Sequence, residues 1–103
     1  MLVNKPISVG DIVAFKLANG DELIASIESE SDLSYMLLKP ATLMPTDKGI
    51  GMMQSMLSGD MARTVELFKS QIMMRSQVAD HIRKHYIETT TDIKTVSAPG
   101  IIV

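Results

Sequence analysis

The chain has 103 residues, 46% of them hydrophobic and 4% aromatic, with no Cys, so disulfides, thiolate metal sites and cysteine nucleophiles are excluded together. A domain of this size hides only about 60 to 65% of the surface its unfolded chain exposes, and association with copies of itself is an expected way to cover the remainder. Ten Lys and Arg against twelve Asp and Glu leave a net charge of −2, which argues against a protein that coats nucleic acid by bulk charge.

The residues from Met1 to Gly10 contain no apolar stretch of signal-peptide length, and no run of 18 apolar residues occurs anywhere, so a cytoplasmic protein without a membrane span is expected. From Asp11 to Leu17 the chain alternates, with Val13, Phe15 and Leu17 on one side and Ala14 and Lys16 on the other. That is the pattern of a half-buried strand. Asn19-Gly20 follows, two residues that tolerate positive φ at low cost, and predicts a hairpin turn. The partner strand carries Leu23, Ala25 and Ile27 on one face and Glu22, Ser26 and Glu28 on the other. Ile24 interrupts the polar face.

After the acidic stretch Ser29 to Asp32, a third strand is predicted over Tyr35 to Leu38, continuing toward Met44, where Pro40 demands an edge, a bend or a bulge. Residues 45–62 hold Pro45, Gly49, Gly51, Gly59 and four Met. They read as a long loop with one or two helical turns around Met52 to Leu57, the glycines opposing anything longer. Arg63 to Phe68 predicts a fourth strand and Ile72 to Arg75 a fifth, separated by the polar turn Lys69-Ser70-Gln71. From Ser76 the period changes. Val78, Ile82 and Tyr86 recur every four residues beside Ala79, which predicts a helix over 77–91 with Ser76 as its N-cap. Glu88 to Ile93 weakens it, and 92–103 reads as a flexible tail.

Five short strands, three consecutive ones separated from the last two by a variable loop, point to a small barrel rather than a sandwich. Within them, Val13-x-Phe15-x-Leu17-x-Asn19-Gly20-x-x-Leu23-x-x-x-Ile27-Glu28-Ser29, then Asp32, then Leu37-Leu38-Lys39, resembles the first Sm motif of Hfq and other Sm-like (LSm) proteins. Phe68-Lys69-Ser70-Gln71-Ile72 is similar to the second Sm motif, in the place of the Tyr-Lys-His-Ala-Ile turn of Hfq. The resemblance covers residues 9–76, and a long mid-chain loop and C-terminal helix on such a core resemble Sm-like proteins encoded by marine phages.

What the resemblance implies is a mainly β fold, a strongly bent five-stranded open barrel over 1–76 with a C-terminal α-helix. It also implies a homo-oligomeric ring of about five to seven copies, joined by pairing the fourth strand of one subunit with the fifth of the next, which satisfies the backbone groups of open edges. Single-stranded RNA bound at the pore is the implied ligand. In the family an aromatic residue two positions after the Asp stacks on a base, and eukaryotic members read a base with an Asn two positions further on. Counted from Asp32 these positions are Ser34 and Met36, which offer neither a π face nor a bidentate edge. Tyr35 is adjacent and either stacks through a shifted loop or belongs to the barrel core. Lys69 stands where the family has Lys or Arg, and Ser70 where it has His or Gly. A ring would gather several copies of Lys69 at one pore, as an RNA contact or as solvated turn lysines. Ala25 replaces a glycine that most members have, a change that concerns strand curvature.

Residues 1–50 hold four basic and seven acidic side chains and residues 51–103 six and five, so an anion site is expected in the second half. His81, His85 and Glu88 have metal-ligand spacing on a helix. Ile82 stands where a metalloprotease pattern needs Glu, and exposed histidines flanking an apolar stripe explain them as well. Met52, Met53, Met56 and Met61 suit an adaptable protein-binding surface or packing over the barrel or a neighbour. No nucleophile with a base, no phosphate-binding Gly loop and no cofactor motif occurs, and the acids cluster in turns such as Gly20-Asp21-Glu22, so an enzyme is not expected. The expectation is a ring that binds single-stranded RNA. The alternative is a structural or adaptor ring that binds protein through the Met-rich loop 45–62 or the helix.

Overall fold

A computed structural model describes residues 7–96. In chain order these form β1 (Ile12–Leu17), β2 (Glu22–Glu30), β3 (Ser34–Thr46), β4 (Gly49–Gln54), β5 (Val65–Phe68), a 3-10 turn over Lys69–Gln71, β6 (Ile72–Gln77) and α1 (Asp80–Val96). The protein is mainly β, with one open antiparallel sheet of six strands and a C-terminal helix. The order is β4-β3-β2-β1-β6, and β5 also pairs with β3. No helix among the described residues is long and apolar enough to cross a membrane.

The first hairpin forms where expected, but Gly20 alone takes the left-handed backbone, at φ 97°. Gly20 N donates to Leu17 O at 2.9 Å and Leu17 N to Asp21 O at 2.8 Å. Asn19 contributes through its side chain, whose Oδ1 accepts from Asp21 N at 2.9 Å. Such side-chain mimicry of a backbone turn is what Asn offers at these positions.

β3 is the strand on which the sheet is organised. Its first half pairs with β5, Ser34 opposite Phe68 and Leu37 opposite Val65, and its second half pairs with β4, Ala41 opposite Gln54 and Thr46 opposite Gly49. Between the halves Lys39 has φ 50°, and Lys39 and Pro40 stand against Ala25 alone where the ladder to β2 shifts register, so the expected irregularity at Pro40 is a bulge, which bends the strand. β4 and β5 therefore act as one interrupted partner of a bent strand, with residues 55–64 inserted at the bend.

This corrects the reading of 45–62 as a loop with helical turns. Residues 49–54 are a strand, and the expected five strands are six. The turn residue is Gly49, at φ 120°, closing a hairpin that Thr46 braces by donating Oγ1–H to Gly49 O at 2.9 Å. Met52 then has an apolar surface to meet, against Ile24 and Ala41. The glycines oppose helix, as argued; they do not oppose an edge strand that needs one of them to turn.

The sheet buries both faces. Val13, Phe15, Leu23, Ala25, Ile27, Tyr35 and Leu37 form the core on one side. On the other, Ile24, fully buried, and Ala41 meet Tyr86 of α1, with Ile12, Leu43, Met52, Val78 and Ile82 packed around them. Ile24 breaks the polar face of β2 because that face is covered by the helix.

Two helix boundaries differ from expectation. Ser76 is not an N-cap: it pairs with Ala14 in β6, which runs on to Gln77 opposite Val13. The first turn opens at Ala79, whose carbonyl accepts from Ile82 N at 3.0 Å and Arg83 N at 2.9 Å. At the other end the helix continues to Val96, so residues 92–96, assigned to the tail, are helical, and 97–103 lie outside the described residues. Thr90 is accommodated in the helix because it donates its hydroxyl to Tyr86 O at 2.9 Å, satisfying its polar group on the helix's own backbone.

Tyr86 ties the helix to the bend, its hydroxyl donating to Lys39 O at 2.8 Å, with Leu38 O at 3.2 Å. Burial pushes its phenol up to about 12. The unfolded phenol titrates near 10, so its contribution to stability is complete below about pH 10 and is lost as pH rises toward 12. We expect Tyr86→Phe to cost about 1 kcal/mol at pH 7 by removing a net hydrogen bond, and to lack the part of the alkaline destabilisation that the wild type shows over that window. Urea unfolding of both proteins from pH 8 to 11.5 measures it; identical pH slopes would remove Tyr86 as the titrating group.

Candidate functional site

Three turns meet at one end of the sheet. Ala18 N donates to Gln71 O at 2.7 Å, and Lys69 N donates to Leu33 O at 2.8 Å, so the hairpin turn, the Ser31–Leu33 turn and the 3-10 turn are joined by backbone hydrogen bonds. The Ser31–Leu33 turn is tight because Ser31 Oγ accepts from Ser34 N at 3.1 Å while Ser31 N donates to Ser34 O at 2.8 Å. Asp32 is exposed at its tip, next to Leu33 at 74% exposure. The two stretches that resemble Sm motifs are therefore brought together.

Their side chains are occupied. Tyr35 is 2% exposed and stands in the core, its ring 5.3 Å from that of Phe15 at an interplanar angle of 41°. Its hydroxyl accepts from Arg75 Nη1 at 2.6 Å. Lys69 Nζ lies 5.0 Å from the ring centroid, so a cation rather than a base faces it. Tyr35 is a core residue and not a stacking platform in this conformation. Ser34 is buried, with its hydroxyl donating to Glu66 Oε2 at 2.8 Å. Met36, half-buried, lies opposite Glu66 in the β3–β5 ladder.

Lys69 does not present a free charge. Its Nζ is 2.6 Å from Glu30 Oε2, with the two side chains 32% and 39% exposed. Ser70 is exposed on the 3-10 turn. Lys69 thus has Glu30 at its ammonium and lies over the ring of Tyr35, whose hydroxyl holds a second cation, Arg75. A phosphate approaching Lys69 must displace the Glu30 carboxylate, which weakens the attraction of this turn for a polyanion.

Glu30, Glu66 and Arg75 are the residues that sequence reasoning missed. Their partners are 39, 32 and 40 positions away, and no spacing rule connects them. Only for Glu66 was there a signal, its outward position in the alternation Val65, Glu66, Leu67. His81 and His85 are both exposed, and among the described residues no group of three or more His, Cys, Asp or Glu could hold a metal ion.

The core role of Tyr35 has a measurable cost. Tyr35→Phe leaves an Arg75 N–H without its acceptor and should destabilise by about 1 to 2 kcal/mol, whereas Tyr35→Ala opens the core and should cost about 3 to 5 kcal/mol. Chemical denaturation reads both, and a loss of about 0.5 kcal/mol or less for the alanine variant would instead mark an exposed residue. Comparison with protein-family models and with curated proteins finds no match to this chain.

Proposed function

We propose that the chain is a subunit of a closed homo-oligomeric ring of Sm-like type, a strongly bent barrel serving as a structural or adaptor scaffold. One observation carries the reading: the sheet ends in unlike open edges, β6 on one side and β5 with β4, which also pairs only with β3, on the other. Among the described residues β5 pairs only with β3 and β6 only with β1. Each edge bears exposed apolar side chains, Phe68 at 52% on β5 with Leu33 at 74% nearby, and Met73 and Met74 at 69% on β6. Unpaired strand edges of this kind invite pairing with another chain. An edge that differs from its counterpart makes a head-to-tail contact, which closes into a ring when the rotation allows. β5 and β6 are also the expected fourth and fifth strands, those that the family resemblance assigns to subunit contact.

Protein rather than RNA is the favoured cargo because the pore-side turn offers no open π face and its lysine is paired with Glu30. The surface around the insertion, with Met53, Met56 and Leu57 exposed, suits an adaptable protein contact. The RNA reading keeps one specific support. The Lys69–Glu30 pair is partly solvated, and such pairs contribute about 0 to 1 kcal/mol, so phosphate could displace the carboxylate with several Lys69 copies gathered at a pore.

Native mass spectrometry at micromolar concentration is expected to give a closed species of about five to seven subunits; a compact monomer would reject the ring. Uridine-rich and adenine-rich oligonucleotides titrated from about 50 to 200 mM salt should show no salt-sensitive binding. Binding that falls steeply with salt and is lost on Lys69→Ala would replace the scaffold reading with the RNA-pore reading.

A further inference from the structure

Resting on the ring reading above, we propose that Glu66 of one subunit and Arg75 of the next form the charge pair that fixes the register of subunit contact. Both lie on open edge strands, β5 and β6, and both are exposed. Neither charge is neutralised within the subunit: the salt bridges among the described residues are Arg63 with Asp60 and Lys69 with Glu30. Glu66 uses Oε2 to accept from Ser34 Oγ, and Arg75 uses one Nη1–H toward the Tyr35 hydroxyl. Each is thus aimed by one internal hydrogen bond and keeps capacity for another partner, the carboxylate at its second oxygen and the guanidinium at its other N–H groups.

The register follows from side chains along the two edges. In an antiparallel pair, residues directly opposite one another project to the same side of the sheet and interact. Setting Glu66 opposite Arg75 counts exposed Phe68 against exposed Met73, the residue left unpaired where β6 bulges against β1, and Thr64, just ahead of β5, against Gln77. A slip of one residue puts Glu66 against Ser76 or Met74, and a slip of two puts it against Gln77 or Met73. A parallel alignment of Phe68 with Met73 puts it against Gln71. Among these alignments one unites an apolar pair with an opposite-charge pair. Like charges in the same place would work against it, which is how an edge can select its partner as well as attract it.

The experiment compares wild type, Glu66→Arg, Arg75→Glu and the double reversal by native mass spectrometry and sedimentation velocity at one micromolar-range concentration, with circular dichroism melts alongside. Each single reversal is expected to shift the population from ring to smaller species, and the double reversal to restore the wild-type subunit number. Because Arg75→Glu also removes the bond to Tyr35 and Glu66→Arg the bond from Ser34, the two single variants are mixed in equal amounts as an internal control. In the mixture the reversed charge at position 66 of one variant meets the reversed charge at position 75 of the other, and native Glu66 meets native Arg75. Every contact between unlike variants then joins opposite charges, so the mixture should associate where neither component does. Singles that both keep the wild-type subunit number would overturn the charge pair and leave the ring standing. So would dispersed singles that neither the double reversal nor mixing restores. A monomeric wild type would remove the ring and this inference with it.

Discussion

Everything else in this fold leans on the bend in β3. Lys39 holds a left-handed backbone, φ 50°, which costs a non-glycine residue about 1 to 2 kcal/mol. The strand keeps it because several contacts act at the same point. Pro40 has no N–H to offer a ladder, its carbonyl takes Ser55 N at 3.0 Å, and Tyr86 donates to Lys39 O at 2.8 Å. The ladder to β2 also shifts register between Ile24 and Ser26, which lets the neighbouring strand follow. A straight β3 would pair with one continuous partner; a bent one gives its halves to β5 and β4. The bend also decides where residues 55–64 can leave the sheet, since the partner is interrupted opposite the point where β3 turns.

The bend also divides the apolar residues between two cores. On one face Phe15, Ile27, Tyr35 and Leu37 pack among strands, with Ile7 against them; on the other Ile24 and Ala41 meet Tyr86 from the helix. The candidate site lies at the rim of the first core, and this explains its chemistry. Tyr35 is adjacent to the position where a base-stacking aromatic would stand, but its ring completes the core and its hydroxyl anchors Arg75. Packing requirements have taken the side chain that recognition would need. Ser34 is likewise turned inward, onto Glu66, and with every buried side-chain polar atom of the described residues hydrogen-bonded the rim gains rigidity rather than open donors.

How much of this was legible depended on whether the controlling contact was local. Strands β1 and β2, the hairpin between them and the helical stripe Ile82, Tyr86 follow from periods of two and about four residues, which are properties of the chain itself; Val78, expected on the helix, lies just ahead of it. The strand β4 was hidden because Gly49 and Gly51 read as loop, and Met52 acquires a reason to be extended only once Ile24 and Ala41 are beside it. Ser76 looked like a cap because the Ser precedes an apolar stripe, yet pairing with Ala14 takes its backbone first. At the site, the two motif-like stretches were legible and their proximity is real. What was not legible is which partner each side chain has, since Glu30 with Lys69 and Arg75 with Tyr35 join residues about forty positions apart.

The charge asymmetry along the sequence acquires a different meaning in three dimensions. The more basic second half suggested an anion site, but Lys69 is paired with Glu30 of the acidic first half, tying the 3-10 turn to the end of β2. Arg75 sits on one open edge and Glu66 on another, and neither has a salt bridge within the chain among the described residues. Each added copy brings a further net −2, so an assembly grows more acidic as it grows. Long-range repulsion of a polyanion then increases with size even where one turn is locally positive. On the proposed ring reading, charge placement and edge chemistry call for the same partner, another copy of this chain, before any ligand is considered.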